Sequence, residues 1–285
     1  RTLRQKHVSY KAVFTEYRGH AVKLAASVTA KASPEHPVYL IAVGGDGTIQ
    51  EVLSGVKDLS CIYFGYIPTG SGNDFCRSMQ LPQDPHEALN CILKRKHIAS
   101  MDVPVISIKG RKSHFAISCG IGFDAAVCHE VGVTPMKKVL NRVGLGKLVY
   151  LFVALKQLLF LKPVPVTLRM DEERIYPFHK VYFAAVMNQK YEGGGFKFCP
   201  DASPSDGYLD VIVVDGLSKL KVLFCLPTAF WGKHTQFTGI HIFRCKKVEV
   251  FSTVPLAVHK DGESAGIQET FSVSIEKEPV KIILP

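Results

Sequence analysis

Apolar positions in the first hundred residues come in short blocks set between helical stretches. Val38–Val43 (VYLIAV) and Ile62–Ile67 are apolar runs of strand length, bounded by turn residues. His20–Ala32, Thr48–Val56, Asn73–Met79 and His86–Lys96 carry helical spacing around them. Buried strands alternating with helices predict a parallel sheet covered on both faces. A short strand is expected at Ser9–Phe14, after a helix-like opening. An α/β nucleotide domain ordinarily opens on a strand and a phosphate-facing loop, so this opening points to a native beginning upstream of Arg1.

Beyond Asp102 the pattern changes. Val103–Ile108, His114–Gly120, Val164–Met170, Lys180–Met187, Tyr208–Val214, Lys246–Phe251 and Phe271–Glu276 are rich in β-branched and aromatic residues. Helices are expected near 137–161 and 218–230. The fold class is therefore α/β plus β. Residues 1–100 form an α/β nucleotide-binding domain with a parallel sheet, to which 278–285 return. Residues 101–277 form a mostly antiparallel, sandwich-like β domain, and the active site lies in the cleft between the two.

Composition narrows this picture only slightly. The 285 residues are 47% hydrophobic and 21% charged, which excludes disorder, collagen and coiled coil for the whole. A net charge of +10 favours anionic partners such as nucleotide phosphates or acidic membrane surfaces. The eight cysteines are scattered without a CxxC, several within apolar runs, which argues for reduced, packed thiols and a cytoplasmic location. Leu148–Leu161 is the most membrane-like stretch. Fourteen helical residues reach only about 21 Å against a hydrocarbon core of roughly 30 Å, and Lys156 and Gln157 interrupt them, so a packed or interfacial helix is expected.

The chemistry concentrates where strands end in glycines. Val43 is followed by Gly44-Gly45-Asp46-Gly47 and a helix starting near Thr48. Glycines let a backbone approach a phosphate, and a helix N-terminus supplies free amides and partial positive charge. Thr48 and Glu51 also make a T-x-x-E capping box, which has a purely structural use. A second strand, Ile62–Ile67, leads into Pro68-Thr69-Gly70-Ser71-Gly72-Asn73-Asp74-Phe75. Two such loops at successive strand ends of one sheet face one crevice, which favours phosphate binding. No GxxxxGK[ST] loop occurs, so glycine-loop amides carry the nucleotide. Asp124, Asp206, Asp261 and Glu263 also lie beside glycines. Singly, each suits an Asx-turn or hairpin tip, but phosphoryl transfer needs carboxylates for Mg²⁺ and for the acceptor's proton.

GGDGTIQEV, GYIPTGSGNDFCRSM, CGIGFDA, PDASPSDGYLDV and the late KDGE occur in one order. Together they resemble the diacylglycerol kinase catalytic-domain family, most closely its soluble bacterial lipid kinases. The resemblance implies ATP- and Mg²⁺-dependent phosphorylation of a lipid hydroxyl, that of diacylglycerol, giving phosphatidic acid. It implies that ATP lies against Gly44, Gly45, Asp46, Gly47 and Thr48, with Thr15, Glu51, Gly70, Ser71, Gly72 and Asn73 lining the same site. Asp46 is tied to Mg²⁺ and phosphate chemistry, Asp74 to the same carboxylate–water network, and Glu263 to proton acceptance. Asp206, with carbonyls near Ser203 and Tyr208, matches a second, structural metal site, and Asp124 is a further candidate ligand. Gln50 stands where the family usually has Asn, and the family's initial strand with its Asn-Pro and glycine loop is missing.

Two other functions remain open at this point: phosphorylation of a soluble dinucleotide, as in NAD kinases, and a non-catalytic lipid- or nucleotide-binding module. PTGSGNDF and the DGE turn weigh against the former. The expected partners are a membrane lipid substrate and an anionic membrane, met peripherally at its inner surface. Lys137, Lys138, Arg142 and Lys147 form a candidate basic patch, since each basic residue near such a surface contributes about 1 kcal/mol. No nucleic-acid partner is expected, because basic residues are dispersed and no binding motif is present. The sequence leaves room for a homodimer without specifying one.

Overall fold

Strands form where the apolar runs find a backbone partner. In the computed structural model, which describes residues 2–133, 153 and 156–285, β1 (Val38–Gly44) and β2 (Ile62–Pro68) pair in parallel along their whole length. The sheet is completed by β3 (His97–Met101) and β13 (Val280–Leu284), in the order β1-β2-β13-β3. β13 is parallel to β2, but β3 is antiparallel to β13. The sheet expected to be parallel thus ends in one antiparallel strand, which carries the chain out towards the second sheet.

Helices cover both faces. After α1 (Thr2–Gln5), α2 (His20–Val28), α3 (Asp46–Gly55) and α4 (Asp74–Ser78) bury Ala21, Ala25, Ile49, Leu53 and Phe75 against β2 and β13. Completely buried Ile49, Leu53 and Phe75 are each worth about 1.5–3 kcal/mol over exposure. On the other face α5 (Pro85–Lys94) packs Ala88 and Ile92 on Ile67 and Ile283. Its start is fixed locally: Pro85 opens it, and the Asp84 carboxylate accepts the amides of His86 and Glu87 at 2.9 Å each.

Ser9–Phe14 is not a strand. Those residues are exposed and belong to no ladder, because a strand exists only through its partners.

The second sheet is antiparallel throughout. It contains β4 (Pro104–Ile108), β5 (Arg111–His114), β6 (Ser118–Gly122), β7 (Val164–Met170), β8 (Arg174–Met187), β9 (Leu209–Asp215), β10 (Ile240–Cys245), β11 (Lys247–Lys260) and β12 (Glu263–Ile275). The main path runs β10-β9-β8-β6-β11-β12-β4-β5. Strands β8 and β11 are each shared between β6 at one end and β7 at the other. Leu168, Val186, Val211, Val248 and Phe271 fill the core beneath them.

The continuous strand expected over His114–Gly120 is broken at 115–117, where the Asp261 carboxylate takes the amides of Ala116, Ile117 and Ser118 at 2.7, 2.8 and 3.0 Å. Two further helices are α6 (Phe123–Val133) and α7 (Lys219–Thr228). Most of the helix expected near 137–161 lies outside the described residues, as does the Lys137, Lys138, Arg142 and Lys147 patch; residues 156–160 are helical. Among the described residues no helix is long and apolar enough to cross a membrane. Among the described residues no cysteine forms a disulfide.

Candidate active site

The two glycine loops meet backbone to backbone. A Cβ on Gly70 would lie 2.7 Å from the Gly45 Cα, and the Thr69 amide donates to the Gly44 carbonyl at 2.8 Å. The Tyr66 hydroxyl donates to the same carbonyl at 3.0 Å. Gly44 is needed for a different contact: its Cβ would sit 2.3 Å from Thr48 Oγ1. Both loops therefore open at one edge of the sheet, and α3 starts there with Gly45 as its N-cap.

Asp46, at the head of α3, reaches across to the next helix. Its carboxylate accepts the amides of Asp74 at 3.2 Å and Phe75 at 3.4 Å, capping α4 in place of Asn73. Asn73 takes left-handed backbone (φ 53°) and turns the chain into that helix. Burial holds the Asp46 carboxyl above its ordinary value. Asp74 is pushed up to about 6, first by burial and then by the Asp46 charge. It pairs with Arg77, and its other oxygen accepts the Gly194 amide at 2.7 Å. Gly72 lies against the same carboxylates, and Ser71 is exposed at the loop tip.

Opposite α3 stands the β11–β12 hairpin. Lys260 pairs with Glu263 across a two-residue turn, Asp261-Gly262, whose φ values of 46° and 75° suit an Asp-Gly type I′ turn. Asp261, buried and clamped by its three amides, fixes the turn. Burial pushes its carboxyl up to about 6. Glu263 then points back over α3, where a Cβ on Gly47 would be 2.9 Å from its Oε1. A cavity of about 470 Å³ lies here, lined by Thr15, Arg18, Gly45, Thr48, Glu51 and Glu263 among others. Arg18 pairs with Glu263 at 2.6 Å.

The capping box does not form. Thr48 is the third residue of α3, not its cap, and Glu51 accepts the amides of Gly19 at 2.8 Å and Ala21 at 3.3 Å. Glu51 thus caps α2 from a neighbouring helix and holds the segment that carries Thr15 and Arg18.

Of the expected residues, Thr15, Gly45, Gly47, Thr48, Glu51 and Glu263 line the cavity, and Asp46, Asp74 and the second glycine loop pack beside the first loop. Asp206, Ser203 and Tyr208 lie in the loop before β9, apart from the cavity lining. Asp206 accepts the Tyr208 amide at 3.0 Å and pairs with Arg244, while Asp102 accepts the neighbouring Gly207 amide at 2.7 Å. Asp124, at the start of α6, contacts His259. Sequence reasoning missed Arg18, Asp102, Arg77, Glu192 and His259. Arg18 stands three residues after Thr15 and His259 two before Asp261, so adjacency to expected residues was the available signal.

Two glycine loops at the edge of an α/β sheet, faced by an acidic hairpin of a β-sandwich-like domain, define a two-domain phosphotransferase architecture. Residues 1–105 match the diacylglycerol kinase catalytic domain, and residues 118–283 match the YegS C-terminal NAD kinase beta sandwich-like domain. The Bacillus subtilis protein named "Putative lipid kinase YtlR" is 30% identical over 98% of this chain and 90% of its own length. A diacylglycerol kinase of Staphylococcus saprophyticus is 26% identical over 88% of this chain and 78% of its own. A crystal structure of "a putative diacylglycerol kinase from Bacillus anthracis str. Sterne" superposes with a TM-score of 0.74 at 24% identity, covering 96% of this chain and 85% of that one. An NAD kinase from Archaeoglobus fulgidus in complex with ATP shares the fold more distantly (TM-score 0.51, 14% identity, 99% and 86% coverage). The chain belongs to the diacylglycerol kinase-like family of lipid kinases, and is thus a phosphotransferase.

Proposed function

We propose that this protein transfers the γ-phosphoryl group of ATP to a lipid hydroxyl, that of diacylglycerol, with Mg²⁺ as the metal. The observation that carries the reading is the placement of Glu263 directly over Gly47 at the mouth of the cavity. ATP fits the donor side: the α3 N-terminus and the first glycine loop line the cavity, the second loop packs against the first at Gly70, and Arg18 adds a guanidinium. Mg²⁺ fits the carboxylates of half-buried Asp46 and buried Asp74, which lie close together with one guanidinium beside them. When bound there, it supplies charge neutralisation for the phosphates.

Glu263 accepts the proton of the lipid hydroxyl as its oxygen forms the new bond to the γ-phosphorus. The bond from that phosphorus to the β–γ bridging oxygen breaks, and ADP leaves. Arg18, paired with Glu263 in the free protein, is released to the phosphate charge as Glu263 takes the proton. Positioning and electrostatic stabilisation supply the rate in this class of reaction.

A peripheral encounter with an anionic bilayer completes the reading. Leu220, Phe224 and Trp231 are 63%, 67% and 70% exposed, and Lys219, Lys221 and Lys233 stand beside them in sequence. Labelled γ-phosphate transfer in mixed micelles tests the whole, with diacylglycerol and NAD as alternative acceptors. Product in the lipid phase that disappears in Asp46→Ala and Glu263→Gln is expected. Transfer to NAD alone, or ATP binding without transfer, overturns the assignment. Co-sedimentation with vesicles should rise with anionic lipid and fall with salt.

A further inference from the structure

A second cluster of ionisable side chains lies beside the hairpin and outside the cavity lining, and it includes the loop that Asp74 holds through Gly194. The His259 Nε2 is 2.9 Å from Asp124 Oδ2 and 3.3 Å from Glu192 Oε1, and all three atoms lie within 4.8 Å of one another. They come from three elements: His259 from β11, Asp124 from the first turn of α6, and Glu192 from the loop after β8. The His259 side chain is fully buried and that of Glu192 is 9% exposed, while Asp124 keeps 11% exposure as a route in.

Two carboxylates on one imidazole nitrogen are poorly served by hydrogen bonding, because Nε2 carries a single proton at most. Glu192 Oε2 and the hydroxyl of wholly buried Ser118 lie close to one another, and neither has any other hydrogen-bond partner among the described residues. Buried acceptors left in this condition are rare and costly. The face beneath Asp124 and His259 carries no side chain. A Cβ on Gly120 would lie 2.5 Å from Asp124 Oδ2 and 2.7 Å from His259 Nε2, so only glycine fits beneath them.

We propose that Asp124, Glu192 and His259 form a binding site for one divalent first-row transition-metal cation, distinct from the nucleotide site and structural in role. One imidazole with two carboxylates is a borderline-soft donor set that suits zinc, manganese or cobalt over magnesium. A tetrahedral zinc with bonds of about 2.0–2.1 Å sets its donors roughly 3.3 Å apart. The two separations from His259, 2.9 and 3.3 Å, lie within a few tenths of an ångström of that value, and the third is no more than 4.8 Å. The Ser118 hydroxyl or a water completes the shell. Such a cation would tie α6, the β11–β12 hairpin and the 192–194 loop together at one point. Gly194 of that loop already bonds Asp74.

The test uses the whole chain, stripped with a chelator and titrated without nucleotide. Zn²⁺ is followed by calorimetry, and Co²⁺ by its visible ligand-field absorption, which reports low-coordinate imidazole and carboxylate ligation. One equivalent of Zn²⁺ should bind, with a rise in melting temperature of roughly 5 °C at saturation. Asp124→Asn and Glu192→Gln should each weaken Zn²⁺ at least about tenfold and abolish the cobalt band. Should His259→Gln fail to fold, the Asp124 and Glu192 variants still decide. Absence of stoichiometric binding to the stripped wild type overturns the site, as does unchanged binding in both variants. Neither readout involves phosphoryl transfer, so a chain inactive towards every lipid would still answer the question.

Discussion

Replacing Gly47 by alanine isolates the contact on which the proposed chemistry rests. The new methyl would lie 2.9 Å from Glu263 Oε1, 3.4 Å from its Cδ and 3.7 Å from its Cγ. Only the far end of a flexible side chain obstructs it, so the carboxylate moves and the backbone does not. Gly47 is the second residue of α3 with helical backbone, and alanine there gains up to about 1 kcal/mol of helix propensity. The melting temperature should therefore hold or rise. Activity should not. Relieving the overlap moves the carboxylate by roughly 0.5 Å, and misplacement on this scale costs about 10–100-fold in rate, or about 1.4–2.7 kcal/mol of barrier. Steady-state kinetics in mixed micelles separates two causes. Displacement of the proton acceptor lowers kcat, whereas simple obstruction of phosphate raises the KM for ATP and spares kcat. A Gly47→Ala protein that keeps kcat within about twofold would refute the role given to Glu263.

Gly70→Ala tests the loop–loop contact. Its methyl meets the Gly45 Cα at 2.7 Å, backbone that cannot swing aside, so a loss of about 1–3 kcal/mol is expected in urea unfolding. Arg18→Ala removes an exposed partner of Glu263, so stability should change by less than about 0.5 kcal/mol while the KM for ATP rises severalfold in the same kinetic assay. Burial pushes the Cys245 thiol up to about 12. The folded state then keeps a proton that the unfolded chain loses near pH 9, so stability falls as pH rises from about 9 towards 12. Cys245→Ala should flatten that fall by about 1 kcal/mol per pH unit in denaturant melts at pH 9 and 10.

The parts legible in the sequence are those whose causes are local. An apolar run ending in glycines before a helix is written within about fifteen residues, and both such units occur where expected, as β1 with α3 and β2 with α4. What escaped depends on partners far along the chain. The break between β5 and β6 is caused by Asp261, some 145 residues away from Ala116. Glu51 looked like half of a capping box because T-x-x-E is a local pattern, yet the orphan amides it satisfies belong to α2, 32 residues earlier at Gly19. Strand β11 continues to Lys260, well past Phe251, although Pro255 interrupts its polar–apolar alternation. A register shift between Phe251 and Leu256 absorbs that residue. Glu192 follows a strand in an otherwise unremarkable glycine run, and nothing in its neighbours announces His259.

The same long-range contacts explain how a glutamate on one domain is aimed at a helix of the other. Asp46 holds the start of α4 through the amides of Asp74 and Phe75, and Asp74 holds the 192–194 loop through Gly194. Glu192 of that loop meets His259, and His259 sits on β11 opposite Ser264, the residue after Glu263. Glu263 returns to Gly47, one residue from Asp46. These contacts close a ring through both domains, with the turn inside it clamped by Asp261 and the amides of 116–118. A ring constrains geometry more tightly than any single hydrogen bond, because a shift at one link must be absorbed by every other. One link can be loosened from outside the cavity lining: Asp74→Asn should loosen the 192–194 loop and lower kcat through the position of Glu263 as well as through the Mg²⁺ that Asp74 is proposed to hold. Hydrogen exchange at the Gly194 amide, accelerated in that variant while the α5 amides stay protected, would register the first effect separately from the second.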